Sequence, residues 1–593
     1  MTEHQRPFLD VRVSACERRW VERLTPRQAN IALDIAQTHG IEDIVARVLA
    51  GRNVTVEAAP GFLDPTIRAL MPDPSVVTDL NAAAARIVQA IANGERVAIF
   101  GDYDVDGAAS SALLQRFLRQ LGIQAQVYIP DRIFEGYGPN PEALRALAET
   151  ADLIVTVDCG TNSAKAFEAV AGSGTDIVVI DHHQVGGPVP AVRAVVNPNR
   201  EDDLSGLGHL CAAGVVFMTL VDVARQLRQG GRTDLPDLMG MLDLVALATV
   251  CDVVPLIGLN RAFVTKGLVV ARRMRNPGLA ALTAVARIGE PLNPFHLGFL
   301  IGPRINAGGR IGNAALGAQL LATDDADTAH SLAARLDALN TERQAIETAM
   351  VEEAKAEAAL EMRSAHPPAV IVTASGDWHP GIVGLIAARL RETTRRPAFA
   401  IAFDAAGRGT GSGRSIAGFD LGRLVRQAVE AGLLEKGGGH AMAAGITVMR
   451  DRLADLRAFF EAQTGNAVDA LVASDTLKID GALSSAGVTV ELIERLHAAG
   501  PYGTGHSEPI FAFPHHQVAS VRPVGNGHLK LSLRGLGLRP LDAIAFRVAD
   551  QPLGRLLSEH AGRTLHLAGT VSINHWNGRR TPQLRVIDAA PPA

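Results

Sequence analysis

Residues 97–114 read VAIFGDYDVDGAASSALL, and this stretch decides the fold. The run VAIF is short, apolar and continuous, the pattern of a strand buried on both faces. It stops at three alternating carboxylates, Asp102, Asp104 and Asp106, set between Gly101 and Gly107. A helical pattern follows directly. Strand, acidic turn and helix in that order describe one unit of an open α/β sheet, in which ligands bind at the carboxyl ends of the strands. Three carboxylates this close repel one another unless a cation lies among them.

The same feature recurs downstream. LIVTVDCGT (153–161) ends in Asp158 and Gly160, and IVVIDHHQVGG (177–187) ends in Asp181, His182 and His183. VALATVCDVVPL (245–256) places Asp252 behind another apolar run, which reads as a fourth such position. Helical stretches separate the first three runs, so residues 76–200 are expected to hold a doubly wound parallel sheet, and residues 200–330 read as mostly helical, within one catalytic domain over 76–324. Its strand ends would gather carboxylates and imidazoles with no thiolate. That donor set favours Mn²⁺ or Mg²⁺ over zinc, and it suffices for two divalent metal ions. A two-ion site suits phosphate-ester hydrolysis.

The whole chain of 593 residues fits a globular multidomain protein: 47% hydrophobic, 20% charged, formal net charge −5. Residues 1–75 read as a helical segment with proline-containing turns. Residues 325–365 form a helix connecting two lobes, since 325–362 contain no Gly or Pro. Residues 366–467 repeat an α/β pattern with the Gly-rich loops GTGSGRS (409–415) and GGGHAMAAG (437–445). Residues 468–593 show short alternating strands, the pattern of a small β-barrel. Residues 501–593 carry 10 Lys and Arg against 5 Asp and Glu, a basic balance suited to nucleic acid. Tyr502, Phe511, Phe513, Phe546 and Trp576 are aromatic there, with barrel core the commoner fate for at least three of them. The four cysteines, Cys16, Cys159, Cys211 and Cys251, form no CxxC pair, and no long apolar run or signal core appears. A reducing, cytoplasmic setting without a membrane span is expected.

GDYDVDG, VDCG and DHH in this order resemble the DHH phosphoesterase superfamily. The later motifs GPRINAGGRIG (302–312), WHPGIVGLIAARL (378–390), GSGRSIAGFDL (411–421), GGGHAMAAG and PYGTGHSEPIF (501–511) resemble the RecJ family within it. The resemblance runs from about residue 76 to the C-terminus. It implies a DHH domain, a DHHA1-like domain and an OB-like barrel. It also implies a single-strand-specific 5′→3′ DNA exonuclease releasing mononucleotides, active in DNA repair and recombination. Asp102, Asp104, Asp106, Asp158, His182 and Asp252 would bind metal, with Asp102 either a ligand or a neighbour of one. Asp158 and His183 would be catalytic, His183 contacting a metal or the scissile phosphate. Arg304 and Asn306 would line the phosphate site, Ser412 and Arg414 would hold the terminal 5′-phosphate, and His440 would lie near the same cleft. The resemblance further implies a monomer, with single-strand-binding protein and a RecQ-type helicase as partners.

Two departures from the family pattern stand out. GTGHSEP replaces the usual Asn-Pro turn, and Gly308 stands where Ala is usual. Three other readings compete. A DHH phosphodiesterase for short oligoribonucleotides or cyclic dinucleotides usually lacks the barrel. A non-catalytic DNA-binding scaffold would have lost its ligands. A type II inorganic pyrophosphatase is a shorter chain.

Overall fold

The structure is a computed structural model, and it describes residues 6–131, 134–364, 366–535, 540–576 and 579–592. The chain divides into two compact units. One comprises residues 71–254 and 258–474; the other joins residues 6–70 and 255–257 to 475–592.

The first unit opens on the expected parallel sheet. Its strands are β1 (Val97–Gly101), β2 (Gln126–Tyr128), β3 (Leu153–Val157), β4 (Asp176–Ile180) and β5 (Ala194–Val196), in the order β2-β1-β3-β4-β5. All four pairings are parallel. Every residue of β1 and β3 is buried, as their unbroken apolar runs require. Ala98, Phe100, Ile154 and Val179 pack against Leu144, Leu147 and Phe167 on one face. Helices α1 (Val105–Gln120) and α2 (Ala212–Gln229) pack on the sheet as well. Asp104 caps α1, its Oδ1 accepting the Asp106 and Gly107 amides at 2.8 and 3.1 Å.

The Asp252 stretch is helical, as the mostly helical reading of residues 200–330 expects. VALATVC lies in helix α3 (Leu242–Cys251), and Asp252 caps its C-terminus. A fully buried helix and a fully buried strand share an unbroken apolar pattern, so periodicity does not separate them. Helix α4 (Gly302–Ile311) follows, and then the connecting helix α5 (Ala326–Met362).

The second α/β portion of this unit has strands β6 (Ile371–Ser375), β7 (Ala398–Phe403), β8 (Arg408–Arg414), β9 (Lys436–Gly439) and β10 (Ala443–Met449), in the order β9-β10-β8-β7-β6. Helix α6 (Val383–Thr394) and Met350, Val351, Ala354 and Ala358 of α5 cover the β6–β7 half of one face. Over the β8–β10 half, a groove of about 620 Å³ is lined by Thr410, Gly411, Ser412, Lys436, Gly438 and Gly445, among others. The closing helix of this portion, Leu453–Ala473, runs past the expected boundary at 467.

In the other unit, β11 (Phe511–Val524), β12 (His528–Arg534), β13 (Leu541–Ala545), β14 (Thr564–Trp576) and β15 (Arg579–Ala590) follow the order β11-β12-β13-β15-β14. Pairing of β11 with β14 closes the barrel, β13 and β15 run parallel, and helix Pro552–Glu559 joins β13 to β14. This is the OB topology. Residues 6–70 are more than a helical preamble. Arg19–Glu22 forms a strand parallel to Thr476–Ile479. Ser14 Oγ and Trp20 Nε1 donate to buried Asp588 at 2.6 and 3.0 Å, while Arg23 and Arg52 pair with buried Asp480. Phe511 and Phe513 are core, Tyr502 is half-buried with its hydroxyl on the Leu496 carbonyl, and Phe546 is exposed beneath Arg585. The Trp576 side chain lies outside the described residues. The four cysteines are free thiols.

Candidate metal centre

The ends of β1, β3 and β4 and the end of α3 bring their acidic and imidazole side chains together. Three groups each have ligand atoms within 4.8 Å of one another: Asp158, His182 and His183; Asp106, His182 and Asp252; and Asp102, Asp104 and Asp158. Asp158 and His182 each belong to two of these groups. His182 Nε2 lies 3.7 Å from Asp106, 3.3 Å from Asp158 and 3.6 Å from Asp252.

Local structure explains how the chain tolerates this crowding. The turn after β1 doubles back so tightly that a Cβ on Gly107 would lie 2.3 Å from the Asp102 carbonyl oxygen. Asp158 adopts φ +62°, a left-handed conformation that Asp accepts better than most residues. Asp106 is anchored at the N-terminus of α2, where the Ala212 and Ala213 amides donate to its two oxygens at 2.6 and 2.8 Å. His182 Nδ1 donates to the Leu210 carbonyl at 3.0 Å, which leaves the Nε2 lone pair facing the carboxylates. Asp181 is saturated: it accepts from the Thr161, His182 and His183 amides and from His183 Nδ1 at 2.8 Å. It orients His183 rather than joining the cluster. Against the cost of burial, those donors hold the Asp181 carboxyl below the usual range. Burial pulls the His183 imidazole down, but Asp181 outweighs it and raises the net affinity for a proton.

The residues fit a pair of cations. Burial, and then repulsion from Asp106, Asp104, Asp102 and Asp252, pushes Asp158 well above the ordinary carboxylate range. Burial followed by Asp106 and Asp104 pushes Asp252 up to about 9. The buried Asp158 Oδ1 and Asp252 Oδ2 accept no hydrogen bond from the described residues. A protein does not leave such oxygens buried and mutually repelling unless something positive completes them.

The remaining expected residues are placed as follows. Asn306 lies on the face of α4 that meets the acidic turn: a Cβ on the neighbouring Gly309 would come within 2.9 Å of the Tyr103 carbonyl oxygen. Arg304 lies on another face. Its Nε donates to Asp337 of α5 at 2.8 Å and its Nη1 to the Leu300 carbonyl at 2.6 Å, so its guanidinium is engaged by the connecting helix. Ser412 lines the groove, and Arg414 Nη1 donates to its Oγ at 2.9 Å. His440 is exposed just beyond the β9 end, its carbonyl accepting the Gly422 amide. Arg310 Nη1 reaches the Gly381 carbonyl at 3.0 Å and ties α4 to the groove wall.

Tyr137 was not foreseen. Its hydroxyl lies 3.2 Å from the Asp158 carbonyl and 3.0 Å from His183 Nδ1, and its ring meets the His183 ring edge-on at 5.4 Å. In the sequence it is a lone tyrosine between two glycines, with nothing to tie it to a strand end 21 residues away.

A carboxylate–imidazole centre at the ends of a parallel sheet, joined by a long helix to a second α/β portion, defines a DHH-type phosphoesterase. Family models agree: the DHH family N-terminal domain matches residues 96–249, the DHHA1 domain 367–466 and the RecJ OB domain 479–588. The single-stranded-DNA-specific exonuclease RecJ of Dickeya dadantii is 38% identical over 539 residues, 88% of this chain and 92% of that protein. That of Escherichia coli is 36% identical over 92% of this chain and 95% of its own length. The crystal structure of RecJ with Mn²⁺ from Thermus thermophilus superposes with a TM-score of 0.78 at 29% identity, covering 96% of this chain and 79% of that one. The chain belongs to the RecJ family.

Proposed function

We propose that this chain is a single-stranded-DNA-specific exonuclease that depends on two divalent ions, Mn²⁺ or Mg²⁺, and releases mononucleotides in the 5′→3′ direction. The observation that carries this reading is the ligand cluster shared through Asp158 and His182, in a chain with all three RecJ-type domains. Relatives named single-stranded-DNA-specific exonuclease support the substrate, and the Thermus thermophilus structures with Mn²⁺ and with Mg²⁺ support the ions.

Asp102, Asp104, Asp106, Asp158, His182 and Asp252 would hold the ions, which supply an acidified water and neutralise charge on the scissile phosphate. The chain's own groups do the positioning. The Leu210 carbonyl keeps His182 in the tautomer that presents Nε2. Asp181 favours the protonated form of His183, which offers a donor to the scissile phosphate oxygen. Asn306 faces the same turn. Arg304 serves the phosphate by exchanging Asp337 for it. Ser412 and Arg414 take the terminal 5′-phosphate at the groove floor, with His440 at the rim.

No helix among the described residues is long and apolar enough to cross a membrane. We place the enzyme in the cytoplasm as a monomer acting in DNA repair and recombination. There single-strand-binding protein and a RecQ-type helicase would supply its strands.

The test is a product ladder with Mn²⁺, using 3′-labelled, 5′-phosphorylated single-stranded DNA beside a duplex and an RNA. Stepwise shortening of the DNA strand alone, stopped by a chelator, is expected. Cleavage restricted to the shortest oligomers, or preferring RNA, would move the function to small-substrate phosphodiesterases. Binding without cleavage would favour the scaffold reading.

A further inference from the structure

Just before α4 the backbone forms a π-helical turn, His296–Ile301. Such turns are rare and concentrate at functional sites. This one turns Leu297 and Ile301 into the core and leaves two phenylalanines outside, Phe295 at 53% and Phe299 at 70% exposure. Their rings stack on each other, 5.2 Å between centroids with planes 24° apart. The folded core gains nothing from two exposed, stacked aromatic rings, which makes them candidates for recognition.

The turn sits directly behind the metal centre. Cys251 Sγ donates to the Leu297 carbonyl at 3.4 Å, and a Cβ on Gly298 would lie 3.3 Å from Val250. Cys251 immediately precedes Asp252. The sequence leading to the turn is basic. Arg272, Arg273, Arg275 and Arg287 are exposed, and Glu290 is the one carboxylate in residues 272–299. Glu290 is already engaged by His296 at 3.0 Å. Arg272 is fastened to this segment through its Nε, which donates to the Leu292 carbonyl at 3.0 Å.

From these observations we propose that Phe295 and Phe299 form a stacking platform for bases of the single strand within a few nucleotides of the scissile bond. The neighbouring arginines would take the flanking phosphates. Exposed aromatic faces in a segment with exposed arginines fit a single-stranded polyanion, because every base has a face to stack and every linkage a charge to neutralise. The inference rests on the exonuclease reading and deepens it: the strand is gripped through its bases close to the metal centre.

The test compares wild type with Phe295→Ala/Phe299→Ala and with Phe295→Tyr/Phe299→Trp. Binding of a labelled single strand is followed by anisotropy in chelator, so nothing is cleaved. A second strand carries abasic sites over the nucleotides nearest the 5′ end. The Ala pair is expected to bind the normal strand about tenfold more weakly, to match wild type on the abasic strand, and to be rescued by the Tyr/Trp pair. Unchanged binding, or an equal loss on both strands, would overturn the platform and leave the ridge to a protein partner. A wild type that also fails to shorten the strand with Mn²⁺ would overturn the exonuclease reading itself, which the Ala pair's binding defect alone does not touch.

Discussion

The two α/β portions of the larger unit handle charge in opposite ways. At the ends of β1, β3, β4 and α3 the chain packs carboxylates against one another and leaves Asp158 Oδ1 and Asp252 Oδ2 without a donor among the described residues. On the open face of β8–β10 it removes side chains instead: a Cβ on Gly438 or Gly445 would meet nothing within 4 Å, and the polar side chains of the groove are Thr410, Ser412, Lys436 and Thr447. The first surface is incomplete without cations, and the second is shaped for an anion. On the proposed reading, a phosphodiester held across the two would meet metal at the bond to be cut and neutral or cationic donors at its end. The contrast teaches that the chemistry is confined to one half, so variants in the two halves should fail in different ways.

The largest break should come at Asp158. Asp158→Asn keeps a residue that tolerates φ +62° and removes the charge shared by two ligand groups. Hydrolysis is expected to fall by about 10³-fold or more, the scale of losing metal-based stabilisation of the transition state. The metal-free variant should melt no lower than wild type, since one member of the repelling set is gone. Rates from a gel ladder and melting by circular dichroism check both halves. Normal cleavage, or a collapsed fold, would remove Asp158 from the centre.

A second break is in pH. Burial and neighbouring carboxylates raise Asp252 from 3.8 to about 9, and Asp158 moves in the same direction. A carboxyl whose folded value lies above its unfolded value binds more protons when folded. Its stabilising effect is therefore complete below about pH 4 and is lost as pH climbs toward 9. Asp181 is shifted the other way, so its contribution stays constant over that window. Metal-free protein should melt at progressively lower temperature from pH 6 to pH 9. Mn²⁺ should flatten or reverse that slope, because metal competes with the protons. A metal-free melting point that rises with pH would contradict the picture of a self-repelling cluster.

These contacts were only partly legible in the sequence. Strands β1, β3 and β4 announce themselves as short apolar runs ending in acidic residues, and parallel packing places such ends side by side. Asp252 could be picked out as a candidate from the apolar run before it, although burial on all sides erases the helical period of α3 and leaves periodicity alone unable to place it. Backbone donors carry no sequence signal, so the Leu210 carbonyl behind His182 and the Ala212 and Ala213 amides behind Asp106 are visible only in the structure. The strand at Arg19–Glu22 is hidden for a different reason: its partner, Thr476–Ile479, lies more than 450 residues away. Arg304 sits in the expected motif, but two residues of helix, a rotation of about 200°, turn it from the face of Asn306 toward Asp337.

The smallest effect should come from the groove, and it sharpens the comparison most. Arg414 is held against Ser412 Oγ and the Gly413 carbonyl, so its guanidinium is pre-positioned. A charge-assisted pair to a terminal phosphate is worth about 1.5–3 kcal/mol, and roughly 1.4 kcal/mol is one factor of ten. Arg414→Ala should therefore lower the preference for a 5′-phosphorylated over a 5′-hydroxyl strand by about tenfold. The maximal rate on the hydroxyl strand should change little, since the ligand cluster is untouched. The measurement is kcat/KM on matched strands differing only at the 5′ end. An equal loss on both ends would mean that Arg414 supports the sheet rather than reads the terminus, and the division of labour between the two halves would then fail at the groove.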